Sequence, residues 1–156
     1  MLSTHRRHMS SLFAVNAMGL SVPGIGQFFQ LRNGSANTCL IHEVEFTQTS
    51  VTTPTRVIIR LLRGTGGTGG TALTEYRYDT AGQAPVAQGF SLTFTATVGS
   101  LDLIYDVGWD ILGPMMFRPQ PNDRIALKAN DHFAMSLAQP TAMTLSCRVV
   151  WEEIGG

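Results

Sequence analysis

The sequence predicts an all-β fold: an antiparallel sandwich of two sheets, similar to a jelly roll, with an extended N-terminal arm. The chain holds 17 Thr, 16 Gly and 10 Ser among its 156 residues, a composition typical of strands and turns. Several segments alternate between apolar and polar residues with a period of two, as half-buried strands do. No segment carries an apolar stripe at helical spacing for more than two turns, which argues against helices.

The alternation is clearest in two segments of the sequence. From Phe90 to Val98 the even-numbered residues are apolar and the odd-numbered residues are Ser or Thr, so the apolar set is predicted to face the core. From Met143 to Trp151 the odd-numbered residues are apolar in the same way. Further strands are predicted at residues 27–32, 38–49, 55–63, 73–80, 101–111, 125–129 and 133–137. Many short strands separated by turn residues favour a sandwich over an up-and-down barrel.

The first 26 residues do not share this pattern. Gly19, Pro23 and Gly24 interrupt them, and the apolar residues Leu12 and Phe13 are expected to have nothing local to pack against. We therefore predict an extended arm over residues 1–26, held by a neighbouring subunit, and a β-sandwich domain over residues 27–156. The alternative is an arm that folds back along its own domain.

The charge balance limits the function. Eleven basic and eleven acidic residues give a net charge of zero, and charged residues make up 14% of the sequence against a typical ~25%. A protein that bound nucleic acid by neutralising phosphates would carry a basic excess, so we predict no nucleic-acid partner. Ten of the eleven basic residues are Arg, the only Lys being Lys128, and Arg is favoured in protein interfaces. The surface is thus expected to be covered largely by protein.

Membrane and cysteine signals are weak. No run approaches the ~20 apolar residues of a membrane helix, so no membrane partner is predicted. Residues 12–20 follow a basic cluster as in a signal peptide, but Asn16 and Gly19 interrupt them. Cys39 and Cys147 follow no metal or redox spacing and are predicted to be buried free thiols, with a bridge between the first long strand and the last as the alternative.

A glycine-rich motif spans residues 64–70. It matches the dinucleotide-binding pattern and follows a strand-like run. The binding mechanism needs a helix N-terminus directly after the glycines, whereas residues 71–79 are β-prone. We predict a mobile surface loop between two strands, and no nucleotide or other cofactor.

The aspartates of one strand could form a docking row. Asp102, Asp106 and Asp110 recur every four residues and are predicted to project from one strand face. Such a row suits a solvated face or arginines from another protein, with a Ca²⁺ site as the alternative.

No other constellation indicates metal binding or catalysis. The four histidines lack a ligand spacing. They are His5, His8, His42 and His132. No nucleophile and base, or pair of carboxylates, stands at a catalytic spacing. The protein is predicted not to be an enzyme, with no catalytic, cofactor-binding or metal-ligating residues.

From about residue 57 onward the sequence resembles a family. The features are an Arg-containing apolar strand before the glycine-rich segment, Trp109 followed by a Pro-rich turn over residues 119–125, the stretch 138–144, and the closing sequence Val149-Val-Trp-Glu-Glu. In their order and spacing, over roughly 100 residues, they are similar to small proteins encoded among the head genes of tailed bacteriophages.

The resemblance implies a virion structural protein. It would be a decoration (cement) protein on the outer surface of the phage head, a homotrimer that binds the major capsid protein and stabilises contacts between capsomers. The alternative is a head-fibre or tail-associated module that binds a receptor or glycan. Its first candidate residues are Tyr76, Tyr78, Tyr105 and Trp109. The family offers no catalytic or cofactor residues to transfer.

Two sets of residues are predicted to contact the capsid or a second subunit. In the arm, two arginines would pair with shell carboxylates and two apolar residues would enter grooves. These are Arg6, Arg7, Leu12 and Phe13. The second set is rich in Met, aromatic and Arg side chains, as interfaces are, and its alternative is an ordinary core strand. It consists of Met115, Met116, Phe117 and Arg118.

Overall fold

The computed structural model describes residues 11–48, 56–78 and 84–155 and confirms the predicted antiparallel two-sheet sandwich. The first sheet contains β1 (Ser11–Val22), β3 (Thr38–Gln48), β6 (Glu75–Arg77), β9 (Met115–Phe117), β10 (Ile125–Leu127) and β12 (Met143–Ile154). The second contains β2 (Gly26–Arg32), β4 (Arg56–Thr65), β5 (Thr68–Ala72), β7 (Gln88–Ala96), β8 (Gly99–Asp110) and β11 (His132–Leu137). One 3₁₀ turn, Pro121–Asp123, precedes β10.

The strand pairing is nested from the two ends of the sequence inward. The first sheet runs β10-β3-β12-β1-β6, with β9 also beside β3, and the second runs β5-β7-β2-β11-β4-β8. As a result β1 pairs with β12, β2 with β11, β3 with β10 and β4 with β8, all antiparallel. A long hairpin folded over on itself gives this pattern. The pairing places the strands of the first part of the sequence beside those of the last part.

The core lies between the sheets and is centred on aromatic pairs. The Phe13 and Trp151 rings stack at 5.7 Å between centroids, and Phe46 lies 5.9 Å from Trp109. All four residues are at most 1% exposed. Because each pair joins strands far apart in sequence, it holds the nested hairpin closed.

Residues 11–26 do not form a free arm, so the predicted boundary at residue 26 is wrong. Strand β1 lies inside the first sheet between β12 and β6. Its inward residues change phase at a bulge: Phe13 and Val15 are buried before it, and Leu20 and Val22 after it. Gly19 makes the change with φ of 62°, a conformation that glycine adopts without strain. The bulge hides the period-two pattern. Residues 1–10 lie outside the described ranges.

The apolar face predicted for residues 90–98 is also partly wrong. Phe90 lies opposite Gln30 on the outer face of the second sheet, where the Arg32 guanidinium carbon is 4.0 Å from its ring centroid. Ser91 faces inward instead and is 5% exposed. Leu92 and Thr93 have φ of 42° and 49°, in the left-handed region, and the register between β7 and β5 shifts at this point. The cation–π contact therefore takes the place of core burial for Phe90.

The glycine-rich segment is packed rather than a surface loop. Residues 64–65 belong to β4 and residues 68–70 to β5, which leaves only Gly66 and Gly67 between the strands. Gly67 is buried, and its N–H donates to His132 Nδ1 at 3.2 Å. A Cβ at Gly67 would lie 2.4 Å from Gln30 Oε1, so this position has no room for a side chain. No helix follows the glycines, as predicted.

Because His132 accepts a hydrogen bond from Gly67 within the fold, we expect the free energy of unfolding to depend on pH. Burial lowers the pKa of His132, the Arg32 charge lowers it further, and Asp131 acts in the opposite direction. The unfolded state therefore binds the proton first, and the free energy of unfolding is expected to fall as the pH drops below about 6.5. It should level off once the folded state is also protonated.

Urea denaturation between pH 7.5 and 5 checks this expectation. His132→Asn offers an amide oxygen close to the position of Nδ1 and does not titrate, so its stability should change less over this range. An equal slope for both proteins would contradict the assignment to His132.

The aspartates of β8 are paired within the protein. They face arginines of β4 across the edge of the second sheet. The opposed pairs are Asp102 with Arg63, Asp106 with Arg60, and Asp110 with Arg56. Two of the pairs form ion pairs, at 3.1 Å for Arg63 and 3.5 Å for Arg60. The predicted docking row for arginines of another protein thus already has partners, and charges along an edge strand discourage further pairing.

The prediction that all three aspartates share one face is wrong for Asp102. Arg63, opposite Asp102, also donates to the Ala126 carbonyl of β10 at 3.2 Å, so this pair lies on the side of the first sheet. Arg60 lies between the buried Ile59 and Leu61 and points outward. A register shift between Leu61 and Leu62 causes the difference.

Both cysteines are buried free thiols, as predicted. Cys39 lies opposite Glu153, whereas Cys147 lies opposite Phe46, further along the same pair of strands. At the rise of a β-strand the two are roughly 20 Å apart, far beyond the reach of a disulfide.

Candidate functional site

The two predicted contact residues of β1, Leu12 and Phe13, lie on opposite faces of the strand. Phe13 is 1% exposed and stacked on Trp151, so the prediction that it enters a groove of another protein is wrong. Its neighbour Leu12 faces the opposite way, is partly buried, and lines a cleft on the outer surface of the first sheet. Arg6 and Arg7 lie outside the described residues.

The second predicted set forms an apolar patch at one side of the sandwich. Strand β9 pairs with β3, so Met116 points outward with 47% exposure while Met115 and Phe117 pack partly against the core. The Phe117 ring lies 4.8 Å from the ring of Tyr105 in β8, which is itself 40% exposed. We call Tyr105, Met115, Met116 and Phe117 the β9 patch. It bridges the edges of the two sheets, so the alternative of an ordinary core strand describes only part of it.

Arg118 leads from the β9 patch into a charged cluster. Its Nε donates to Glu43 Oε2 at 2.6 Å, and Arg148 Nη1 donates to Glu43 Oε1 at 3.4 Å. The Glu43 side chain is 11% exposed, whereas that of Arg118 is 65% exposed. A nearly buried carboxylate therefore positions two guanidinium groups at the surface.

A second carboxylate repeats this arrangement nearby. Glu152 lies 2.8 Å from His42 Nε2 and 4.0 Å from Arg124 Nη1. Glu152 lies opposite Leu40 and Glu43 opposite Val150, so the two carboxylates come from neighbouring strands of the first sheet. The three arginines and two carboxylates of this cluster leave one net positive charge.

These groups border an open cleft with a volume of about 430 Å³, which we call the arginine cleft. It is lined by Leu12, His42, Glu43, Tyr78, Arg118, Pro119, Arg124, Arg148 and Val150. Tyr78 is 53% exposed and accepts a hydrogen bond from Arg148 at its hydroxyl. The cleft thus joins charged donors to apolar and aromatic walls, and it meets the β9 patch at Arg118.

Sequence reasoning named Leu12 and Arg118 as contact residues and Tyr78 as a glycan-binding candidate, and it missed the other residues of the cleft. Its lining comes from β1, β3, β12 and the segments next to β6, β9 and β10, which only the nested pairing brings together. The available signal was the large excess of Arg over Lys.

The remaining chemistry of the described residues is limited. Burial raises the pKa of both Cys39 and Cys147, so their thiols stay protonated at neutral pH and are poor nucleophiles. In residues 11–48, 56–78 and 84–155, no three His, Cys, Asp or Glu side chains are grouped so that they could hold a metal ion. The same ranges contain no helix long and apolar enough to cross a membrane.

Comparisons of the sequence with protein-family models and curated proteins, and of the fold with solved structures, give no match.

Proposed function

We propose that the protein is a capsid decoration protein of a tailed bacteriophage: a homotrimer that binds the major capsid protein on the outside of the head and stabilises contacts between capsomers. The observation that carries the proposal is the β9 patch, in which Tyr105 and Met116 are 40% and 47% exposed, and which is followed in the sequence by the exposed Arg118. Met, aromatic and Arg side chains are the residues enriched at protein interfaces.

The strand order supports a jelly roll, the finer architecture that we propose. With β1, β2, β3, β4, β8, β10, β11 and β12 counted in order as eight strands, the first pairs with the eighth, the second with the seventh, the third with the sixth and the fourth with the fifth. This is the pairing of a hairpin rolled into two Greek keys, an architecture of viral capsid and lectin domains. The likeness is an analogy of fold and supports the function only in that sense.

The location of the patch suits a cementing role. A stable contact buries about 800 Å² on each partner and is centred on a few well-packed residues. The β9 patch could supply the apolar centre and the arginine cleft a polar rim, since both include or adjoin Arg118. Such a protein acts by contact area and needs no catalytic residues.

The second candidate function is a glycan-binding fibre or tail module. Three of its four predicted aromatic residues favour it, because Tyr76, Tyr78 and Tyr105 are 55%, 53% and 40% exposed. Trp109 does not, since it is 1% exposed and its Nε1 donates to the Gly113 carbonyl at 2.7 Å inside the fold. Quantitative mass spectrometry of purified particles separates the two functions: decoration requires a copy number comparable with that of the shell protein, and a fibre or tail part a much lower one.

Replacing Met116 by Glu should weaken binding to phage heads. The change places a charge at the exposed Met116 position of the β9 patch, and a loss of at least about tenfold in affinity is expected. Cosedimentation with heads that lack the protein measures the affinity. Ile25→Glu is the matched control, because Ile25 is 68% exposed in the turn between β1 and β2. Equal binding by Met116→Glu and the unaltered protein would exclude the patch from the contact.

A further inference from the structure

We propose that the arginine cleft binds a carboxylate of an acidic peptide segment, supplied by an Asp or Glu residue or by a C-terminus. The inference rests on the proposed function, since the segment would belong to the shell protein, and it adds the chemistry of the contact. Three observations support it: the arginines have unused hydrogen-bond donors, carboxylates restrict the arginine side chains, and the walls of the cleft are partly apolar.

The arginines of the cleft have unused hydrogen-bond donors. Arg118 donates to Glu43 through Nε, and no described residue accepts a bond from its Nη1 or Nη2. Arg124 has only the 4.0 Å ion pair with Glu152 among the described residues. A guanidinium carries five N–H donors in a planar fork that matches the two oxygens of a carboxylate. Both arginines can therefore bind a carboxylate without losing a bond that they already make.

The cluster holds the Arg118 side chain in place before a ligand arrives. Glu43 lies between Arg118 and Arg148 and is 11% exposed, so it restricts both long side chains. Binding then costs less side-chain entropy than it would with free surface arginines. One net positive charge remains after both carboxylates are paired, and it favours an anion over a neutral ligand.

The walls of the cleft favour an acidic peptide over an acidic sugar. Leu12, Pro119 and Val150 offer apolar contact to the methylene groups beside a carboxylate. Sugar hydroxyls need several acceptors and amide groups, but the described residues that line the cleft include no Asn, Gln, Ser or Thr, and the Glu43 carboxylate is already paired. A volume of about 430 Å³ can take a short peptide segment.

Nuclear magnetic resonance with the full-length protein tests the proposal. An acetylated tri-glutamate amide is titrated into the ¹⁵N-labelled protein, with the tri-glutamine amide as the neutral counterpart. The glutamate peptide should shift the amide signals of Leu12, Tyr78 and Val150 saturably, and the glutamine peptide should not. The double change Arg118→Gln and Arg124→Gln should weaken binding of the glutamate peptide at least about tenfold.

The controls separate loss of binding from loss of structure. Arg60→Gln removes an arginine that is 50% exposed on the other sheet, and it should leave binding unchanged. The double variant Arg118→Lys and Arg124→Lys keeps both positive charges but loses the planar guanidinium donors. It should bind the glutamate peptide more weakly than the unaltered protein does. Spectra of the free variants show whether the fold is retained, which is expected because Arg148 still pairs with Glu43.

Three results would overturn the proposal: equal shifts with both peptides, undiminished binding by the Arg118 and Arg124 double variant, or shifts produced by galacturonate or inorganic phosphate but not by the glutamate peptide. The last result would make the cleft a sugar or phosphate site. The titration uses the isolated protein, whereas decoration is tested on particles. Failure of the cleft proposal and failure of the proposed function are therefore distinguishable.

Discussion

Replacing Glu153 by Ala is expected to lower the free energy of unfolding by roughly 4 kcal/mol, because several buried donors would lose their acceptor. The carboxylate is 4% exposed. It accepts bonds from the backbone N–H of Val86 at 3.0 Å and of Ala87 at 2.9 Å. It also accepts from Trp151 Nε1 at 3.1 Å and from Asn37 Nδ2 at 3.2 Å. Glu153 thus fastens the segment before β7, in the second sheet, to β12 in the first.

Urea and thermal denaturation measure the loss. A change of this size corresponds to a fall of about 10 °C in Tm for a protein of this length. Glu153→Gln keeps the shape but turns one acceptor into a donor, so it should still cost about 2 kcal/mol. Asp102→Asn is the matched control, an exposed carboxylate whose ion pair is expected to contribute less than about 1 kcal/mol. Stability of Glu153→Gln within the error of the unaltered protein would contradict the buried role.

Replacing Phe13 by Ala is expected to lower the free energy of unfolding by about 3–5 kcal/mol, the usual cost of removing a buried aromatic side chain. Phe13 is 1% exposed and stacks on Trp151, so the change leaves a cavity in the middle of the core. Urea denaturation followed by tryptophan fluorescence measures the effect.

The control for Phe13 lies on the same strand. Met18 is 76% exposed at the β1 bulge, and Met18→Ala should change stability by less than about 0.5 kcal/mol. If Phe13→Ala were as stable as Met18→Ala, β1 would not belong to the sandwich, and an arm held by a neighbouring subunit would again be the better description.

Regular central strands could be predicted from the sequence. In β12, Leu145, Val149 and Trp151 are fully buried, as the alternation from Met143 to Trp151 predicts. Strand β3 was predicted within one residue of its observed end, Gln48. These strands are paired on both sides over most of their length and bury one face consistently. Their sequences therefore keep the period-two alternation of apolar and polar residues.

The prediction failed where the backbone changes phase. At Gly19 in β1 the inward face switches from odd to even residues, and at Leu92 in β7 the backbone enters the left-handed region where the register with β5 shifts. Bulges of this kind are determined by contacts with other strands, such as the Gly19 N–H bond to Ser146 Oγ at 3.0 Å. A local pattern cannot show them.

The candidate site was predictable only in part, for a related reason. Met115 to Arg118 could be recognised because interface residue types are adjacent in the sequence. The partners of Arg118 in the arginine cleft could not, since Glu43 is 75 residues away from Arg118 and 105 residues away from Arg148. Their proximity follows from the pairing of β3 with β9 on one side and with β12 on the other, a long-range feature of the fold.

An electron-microscopy map of the purified phage particle tests the central proposal most directly. We expect two-sheet sandwiches on the outer surface of the head, grouped as trimers, with the β9 patch and the arginine cleft against the shell protein. Density for this protein only at the tail or at a single vertex, or its absence from the particle, would contradict a role as a decoration protein.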